Sequence, residues 1–268
     1  MLKIAILGVS GRMGTNIMNV VEASERCQLV AAVDAPNSPY LGQDSGEIAG
    51  FGCNGITITD DLEAALEDVA VAIDFTHAEA SVSNIPRLAR IGVPVVIGTT
   101  GITQEGKNAI AEAAQSIPIV FAPNMSTGVN VTLKLLEMAA SILGDEYDVE
   151  VVEAHHNQKK DAPSGTAMKM AQVLAETLDR DLATDAVYHR QGMIGERNSR
   201  EIGIQTIRGG DIVGDHTVYF CGPGERIEIT HRAHSRQTFA NGAVRAAHWL
   251  AGQPAGLYSM FDVLGLSE

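Results

Sequence analysis

The chain has 268 residues, of which 45% are hydrophobic and 19% charged, so it can bury one large core or two modest ones and is too apolar to be disordered. Its formal net charge of −14 argues against nucleic acid or an anionic membrane as a partner, because such partners repel an acidic surface. Three isolated cysteines predict no disulfide framework, no signal-peptide pattern opens the chain, and no apolar run reaches the roughly 20 residues that span a bilayer, so we expect a cytoplasmic protein.

Residues 1–126 alternate short β-branched runs with helix-like stretches, which is typical of a parallel sheet covered by helices. We predict strands over residues 3–7, 29–33, 56–58, 69–75, 93–97 and 117–121. Helices are predicted over residues 13–23, 62–66, 80–91 and 104–114. Near-continuous apolar strands such as VAVAIDF indicate burial on both faces, as a doubly wound sheet requires.

The pattern changes after residue 124. A long amphipathic helix is predicted from apolar residues at helical spacing: Val131, Leu135, Met138, Ala139 and Ile142. A strand over 148–154, a helix over 166–178 and strands within 202–231 follow, with RGGD, VGDH and CGPGER as turns. A last helix is predicted over 240–250, and the returning tail can complete the first sheet.

The predicted fold class is therefore α/β with two domains. Residues 1–126 form a Rossmann dinucleotide-binding domain, which the C-terminal tail, residues 237–268, completes. Residues 127–236 form an α+β substrate-binding domain around a mixed or antiparallel sheet.

The strongest local motif is Gly8-Val9-Ser10-Gly11-Arg12-Met13-Gly14, which follows the first strand and opens the first helix. Small residues there let the backbone approach a pyrophosphate, and the helix N-terminus supplies N–H groups, although GxxGxxG departs from the commoner GxGxxG. Asp34 closes the second strand 20 residues after Gly14, where an acid accepts hydrogen bonds from the adenosine ribose. Gly98-Thr99-Thr100-Gly101 ends a later strand at the same edge, beside the expected nicotinamide half.

The ribose region predicts which dinucleotide is used. Asp34 favours a free 2′-OH, and Ala35 offers no charge to a 2′-phosphate. Arg12 is the one nearby cation that could accommodate NADPH. We therefore expect NADH or NADPH as the cofactor, with NADH used at least as well.

Residues 153–167, EAHHNQKKDAPSGTA, carry the densest chemistry. His155 and His156 leave a strand with two lysines nearby, and the chain then enters a helix at Ser164-Gly165-Thr166, whose backbone N–H groups could bind a carboxylate. A small acid could be held there beside a histidine that transfers protons near neutral pH. A solvated loop with a simple N-cap is the alternative. HHxxK has no ordinary metal-ligand spacing, so no metal is expected and a metal hydrolase is disfavoured.

This segment resembles the dihydrodipicolinate reductase family, also called 4-hydroxy-tetrahydrodipicolinate reductases, of bacterial lysine and diaminopimelate biosynthesis. Further matches are GxxGRMG at the start, IDFT at 73–76, VIGTTG at 96–101, NMSTGVNV from Asn124, GERIEITHRAHSR and FANGAVRAAHWL. The resemblance spans essentially the full chain. It implies that NAD(P)H reduces a cyclic, dicarboxylated, imine-type intermediate to tetrahydrodipicolinate.

The resemblance also implies residue roles. His155 resembles the general acid that protonates the ring carbon, and Lys159 would stabilise the developing negative charge. The residues that resemble the carboxylate-binding set are His156, Ser164, Gly165 and Thr166. The residues that resemble the cofactor-binding set are Gly8, Val9, Ser10, Gly11, Arg12, Met13, Asp34, Gly98, Thr99, Thr100, Ala122, Pro123, Asn124 and Met125. Ala35 departs from the basic residue that the family often has, and a homotetramer formed through residues 127–236 is implied.

Two other functions agree with parts of the pattern. A different Rossmann-type dehydrogenase, for example one acting on an amino-acid semialdehyde, would carry a catalytic cysteine or a differently placed lysine. A non-catalytic NAD(P)-sensing regulator would bind nucleotide without needing the HHxxK and SGT residues.

Overall fold

The computed structural model describes residues 1–267, and these divide into two compact units. The first unit is Met1–Thr127 together with the segment that begins at Arg236, and the second is Gly128–Ser235. Each unit contains its own sheet.

Residues 1–267 contain twelve strands and ten α-helices, numbered in chain order. The strands are β1 Leu2–Leu7, β2 Cys27–Val33, β3 Ile58–Thr59, β4 Val71–Asp74, β5 Val95–Ile97, β6 Pro118–Phe121, β7 Asp148–His155, β8 Ala186–Val187, β9 Ile202–Arg208, β10 Gly214–Gly222, β11 Glu225–Ala233 and β12 Gly256–Tyr258. The helices are α1 Arg12–Glu22, α2 Ser45–Ala49, α3 Leu62–Ala65, α4 Ala78–Ile91, α5 Gln104–Ala113, α6 Thr127–Leu143, α7 Gly165–Thr177, α8 Leu182–Asp185, α9 Gln237–Leu250 and α10 Met260–Leu264.

The first unit is built on a parallel sheet of seven strands in the order β12-β6-β5-β4-β1-β2-β3. Alternate residues of β1 belong to different core clusters, Ile4 and Ile6 on one face and Ala5 and Leu7 on the other. Helices therefore cover both faces, which explains the continuous apolar strands. The Rossmann fold class is confirmed. From β1 the strand order continues to β2 and β3 on one side and to β4, β5, β6 and β12 on the other. A crevice therefore opens at the carboxyl ends of β1 and β4, where the order reverses.

The second unit is built on a mixed sheet in the order β11-β10-β7-β9-β8. Strand β7 is antiparallel to β10 and parallel to β9. Its residues alternate in burial, and the buried face carries Val149, Val151, Glu153 and His155. Helix α7 packs on β7 and β9. The apolar row of this strand thus ends in two ionisable side chains at its carboxyl end.

The structure corrects two sequence-based expectations. VGDH is not a turn, because Gly214, Asp215 and His216 continue β10 and pair with β11. In α6 the apolar residues that predicted the helix face outward: Val131, Leu135, Met138 and Ile142 are exposed. The helix buries a different face, which includes Leu133 and Leu136.

Within residues 1–267, no helix is both long enough and apolar enough to cross a bilayer. In the same range, no group of three or more histidine, cysteine or acidic side chains is arranged to hold a metal ion.

Candidate active site

The glycine-rich turn between β1 and α1 is shaped by close backbone approach. Gly8 has a φ of 77°, in the left-handed region that favours glycine. A Cβ on Gly14 would lie 2.3 Å from the Gly8 carbonyl oxygen and 2.5 Å from that of Val9. Only glycine therefore lets the first turn of α1 pack against this loop. The result is a helix N-terminus directed at the crevice, as a bound pyrophosphate requires.

A cavity of about 710 Å³ opens at this crevice. Among the residues predicted from the sequence, it is lined by Gly8, Ser10, Gly11, Arg12, Met13 and Asp34. One oxygen of Asp34 accepts hydrogen bonds from the Ser10 N–H (3.3 Å) and the Ser38 hydroxyl (3.2 Å). The other accepts from the Ala35 N–H at 2.9 Å. The carboxylate is thus held at the mouth of the glycine-rich turn.

The cavity also contains residues to which sequence reasoning gave no role, among them Asp60, Phe75, Thr76, His77 and Arg87. Three of them follow β4 directly, in or just after the IDFT motif. Because β4 lies beside β1, their position at the carboxyl end of a predicted strand was an available signal.

Asp74 lies beneath this part of the cavity and is completely buried. Its Oδ1 atom accepts hydrogen bonds from the Thr76 N–H (2.9 Å), the Thr76 hydroxyl (2.6 Å) and the Ser81 hydroxyl (2.9 Å). Its Oδ2 atom accepts from the Asn84 amide at 3.3 Å. The carboxylate therefore ties the β4–α4 loop to the first turns of α4.

The Gly98 turn lies against the same cluster. A Cβ on Gly98 would lie 2.1 Å from the Phe75 ring. The Thr99 side chain is buried, and its hydroxyl lies 2.7 Å from the Ser81 hydroxyl. Thr100 is exposed. Of the two threonines predicted to bind cofactor, Thr99 thus turns its side chain inward.

The remaining predicted cofactor residues do not line the cavity. Val9 is completely buried, and Ala122 and Met125 belong to the core of the first unit. Pro123 is exposed, and the Asn124 side chain accepts a hydrogen bond from the Ser126 N–H at 2.9 Å. The Met125 carbonyl contacts α9 so closely that a Cβ on Gly242 would lie 1.7 Å from its oxygen.

In the second unit, the predicted residue His155 is in contact with Glu153, a residue to which sequence reasoning gave no role. His155 Nδ1 lies 2.6 Å from Glu153 Oε2. Arg208 donates to both Glu153 oxygens, at 2.9 and 2.8 Å. Burial alone would raise the pKa of Glu153, but hydrogen bonds from Arg208, His155 and the Ser164 N–H outweigh it and lower that pKa below its ordinary value.

Ser164 joins this cluster to helix α7. Its hydroxyl accepts from the Ala167 N–H at 3.1 Å, which makes it the N-cap, and it lies 2.9 Å from His216 Nε2. Burial, together with repulsion from His155, lowers the pKa of His216 to about 4, so this ring is neutral at neutral pH. The His155 and His216 rings meet edge to face, with centroids 5.2 Å apart.

The other predicted substrate residues lie on the loop that leads into α7. Lys159 donates to both oxygens of Asp161, at 2.8 and 2.9 Å. His156 is half-buried, and its backbone N–H donates to the Ile212 carbonyl at 2.8 Å. Gly165 and Thr166 form the first turn of α7, which places their backbone N–H groups at the positive end of the helix dipole.

Sequence reasoning missed Glu153, Arg208 and His216 as functional residues. Glu153 had a usable signal, because residues two apart on a strand face the same side. Arg208 and His216 had none, since only the sheet register places them beside His155 and Glu153.

A dinucleotide-type crevice on a Rossmann sheet, together with a second unit that carries the histidine, lysine and helix N-terminus, defines a nicotinamide-dependent reductase. Family profiles for the N-terminus and the C-terminus of dihydrodipicolinate reductase match residues 2–125 and 128–264. The chain therefore belongs to the dihydrodipicolinate reductase family, as the sequence motifs implied. It is an NAD(P)-dependent oxidoreductase of lysine and diaminopimelate biosynthesis.

Individual relatives agree with this assignment. The chain is 54% identical over 266 residues to 4-hydroxy-tetrahydrodipicolinate reductase of Syntrophotalea carbinolica, which covers 99% of this chain and 100% of the relative. It is 56% identical over 265 residues to the enzyme of that name from Cupriavidus pinatubonensis, with the same coverage. The dipicolinate-bound dihydrodipicolinate reductase of Paenisporosarcina sp. TG-14 superposes with a TM-score of 0.79 at 27% identity and 98% coverage of both chains.

Proposed function

We propose that this protein reduces 4-hydroxy-tetrahydrodipicolinate, or its dehydrated form, to tetrahydrodipicolinate. The observation that carries the proposal is the second-unit cluster, in which His155, Lys159 and the α7 N-terminus belong to one short segment. The dipicolinate bound by the Paenisporosarcina relative is a ring dicarboxylate, which supports a small dicarboxylate substrate here.

The first unit is the dinucleotide-binding domain in this proposal. The approach of Gly14 to the glycine-rich turn leaves a concave backbone surface that fits a pyrophosphate, and the Asp34 carboxylate can accept from ribose hydroxyls. Gly98, Thr99, Thr100 and residues 122–125 would support the nicotinamide end through their backbone. A bound NAD(P)H supplies the hydride.

The second unit contributes charge and a proton. His155 donates a proton to the ring carbon of the substrate. The Lys159 ammonium stabilises the negative charge that develops on the ring, so both groups act selectively on the transition state. His156, the Ser164 hydroxyl and the backbone N–H groups of Gly165 and Thr166 bind the substrate carboxylates at the positive end of the α7 dipole.

The cofactor preference in this proposal is for NADH at least as much as for NADPH. Two carboxylates, Asp34 and Asp60, line the cavity, and both repel a 2′-phosphate. Arg87 lines it too, but its guanidinium is held by Glu63 in a bidentate pair, with one bond of 2.7 Å. Arg12 is the cation left to meet a phosphate.

The quaternary structure in this proposal is a homotetramer formed through the second unit, in a cytoplasmic enzyme. The outward apolar row on α6 supports association, because large apolar side chains in a row mark contact surfaces. Strand β11 has nine residues and pairs only with β10 among the described residues, and such an edge needs covering.

The experiment is a coupled assay in which the intermediate is generated from pyruvate and aspartate semialdehyde with its synthase, and NADH absorbance is followed. We expect rapid oxidation by the wild type, and a kcat lowered by about two orders of magnitude or more in His155→Ala and Lys159→Ala. His189→Ala and Lys160→Ala, two exposed residues of the same types, are the controls. No NADH oxidation by the wild type would favour a sensing role, and near-normal turnover in both site variants would refute the roles.

A further inference from the structure

We propose that Glu153 is a positioning residue that holds His155 in a single tautomer, with Nε2 facing the substrate, and that Arg208 links this pair to the loop of Lys159. This inference rests on the proposed function, because it assigns the source of the proton donated by His155.

The Glu153 carboxylate is completely buried, and both of its oxygens accept several hydrogen bonds. Its Oε2 atom contacts His155 Nδ1 and accepts from Arg208. Its Oε1 atom accepts from Arg208, from the Ser164 N–H at 3.1 Å and from the Thr206 hydroxyl at 3.2 Å. Four donors other than His155 thus hold the carboxylate at a fixed position and orientation.

The contact between Glu153 and His155 determines which nitrogen of the His155 ring carries the proton. An ionised carboxylate can only accept hydrogen bonds, so Nδ1 of His155 must be the donor in this 2.6 Å contact. The proton on Nδ1 makes Nε2 the ring atom that can exchange a proton. When Nε2 gives its proton to the ring carbon, the neutral ring keeps Nδ1–H and the bond to Glu153, and Nε2 then recovers a proton from solvent.

Gly214 leaves space beside Nε2 of His155. A Cβ on Gly214 would lie 3.0 Å from this atom, closer than side-chain carbons normally approach. Glycine at the start of β10 therefore leaves Nε2 without a crowding side chain. The sheet therefore leaves space beside Nε2, the ring atom of His155 that carries the transferable proton.

Arg208 links Glu153 to the loop that carries Lys159. Arg208 donates to the Asp161 carbonyl oxygen at 2.7 Å as well as to Glu153. The Asp161 side chain in turn accepts from Lys159. The Arg208 guanidinium therefore fixes the loop that carries Lys159 relative to Glu153, which orients His155. It also balances the buried negative charge of Glu153.

The test is Glu153→Gln, which keeps the shape of the side chain. The amide oxygen at the Oε1 position can still accept from one Arg208 N–H, Ser164 and Thr206. The amide NH₂ then replaces Oε2, so the second Arg208 hydrogen bond is lost, and Nδ1 of His155 must become an acceptor. We expect ¹⁵N NMR of the neutral histidine ring to change from the Nδ1–H to the Nε2–H tautomer. We expect kcat to fall by about 100-fold or more, on the scale of tautomer loss in a catalytic His–Asp pair, while the KM for substrate changes less than about threefold.

Glu150→Gln is the matched control. Glu150 lies on the same strand facing the opposite side and is paired with Arg190 and Arg197, so it shares the ion-pair chemistry without a histidine. The control should keep both the wild-type kcat and the His155 tautomer. A wild-type NMR spectrum with the Nε2–H tautomer, or Glu153→Gln with normal kcat, would overturn the proposal.

Arg208→Lys provides a second variant if Glu153→Gln does not fold. Lysine keeps the charge but cannot bridge both Glu153 oxygens and the Asp161 carbonyl. We expect kcat to fall by about tenfold, and an unchanged kcat would overturn the link to Lys159. The tautomer is read without substrate, so a wild type that shows Nδ1–H but does not oxidise NADH would refute the proposed function and leave the positioning intact.

Discussion

Asp74→Asn tests how a buried carboxylate shapes the cofactor crevice. The substitution removes the charge and keeps an oxygen where Oδ1 accepts from the Thr76 N–H, the Thr76 hydroxyl and the Ser81 hydroxyl. The new NH₂ group replaces Oδ2 and faces the Asn84 side chain, which can rotate its amide to present an oxygen. The main effect is therefore the loss of charge from the hydrogen bonds at Oδ1.

The magnitude follows from those bonds. A hydrogen bond to a charged group contributes about 1.5–3 kcal/mol and one between neutral groups about 0.5–1.5 kcal/mol, so each bond loses roughly 1 kcal/mol. For the two from Thr76 and the one from Ser81, we expect the free energy of unfolding to fall by about 3 kcal/mol. Thr76 and His77 line the cavity, so we also expect the Kd for NADH to rise about tenfold, which corresponds to about 1.4 kcal/mol.

The assays are urea unfolding and fluorescence titration with NADH, and Asp44→Asn is the matched control. Asp44 accepts backbone N–H groups from Gly46, Glu47, Asn54 and Gly55. The hydrogen bonds from Asn54, the Cys53 thiol, Gly55 and Glu47 lower its pKa to about 2. It does not line the cavity, so the control should lose stability and keep its affinity for NADH. An Asp74→Asn protein that is destabilised but binds NADH as the wild type does would refute the reasoning.

Three further predictions follow from the same structure. Ala35→Arg should shift the ratio of kcat/KM for NADPH to that for NADH upward by about tenfold, because a cation then faces the 2′-phosphate; an unchanged ratio would contradict the assignment of the ribose region. Leu135→Asp with Met138→Asp should dissociate the proposed homotetramer in light scattering, since both side chains are exposed in one chain, whereas a tetramer that persists in this variant would exclude this face of α6. The pKa of His216 is lowered in the folded protein, so the unfolded chain binds a proton at a higher pH than the folded protein does. The free energy of unfolding should therefore fall by about 3 kcal/mol as the pH falls from 6.5 to about 4, and His216→Gln should flatten this slope in urea titrations.

The sheet of the first unit was predictable because its strands are buried on both faces. Apolar runs placed β1, β2, β4, β5 and β6 to within two residues of their observed bounds. Strand β12 was not predictable from its own residues, since three residues become a strand only by pairing with β6. The outward row on α6 was hidden because the helix carries apolar residues on two faces, and periodicity alone cannot say which face is covered.

Local sequence patterns located some residues of the candidate site but could not locate others. The glycine-rich turn, Asp34 and the loop that ends at Ser164 are each continuous with a strand end or a helix start, so local patterns located them. Arg208 and His216 lie on other strands, and their approach to Glu153 depends on the register of β9 and β10. The inward turn of the Thr99 hydroxyl depends likewise on Ser81, which lies 18 residues away in sequence.

Asp74 and Glu153 show how one physical arrangement recurs in both units. Each is a completely buried carboxylate on a strand, Asp74 at its last residue and Glu153 two residues before its end, and each accepts hydrogen bonds from the loop beyond that strand. A loop must stay exposed to meet a ligand, so it cannot be fixed by burying apolar side chains of its own. Charge-assisted hydrogen bonds to a carboxylate beneath the loop fix it instead, and they do so most strongly where water is excluded. Substitutions that neutralise these two acids should therefore affect cofactor affinity in one unit and proton transfer in the other, although neither side chain need contact a ligand.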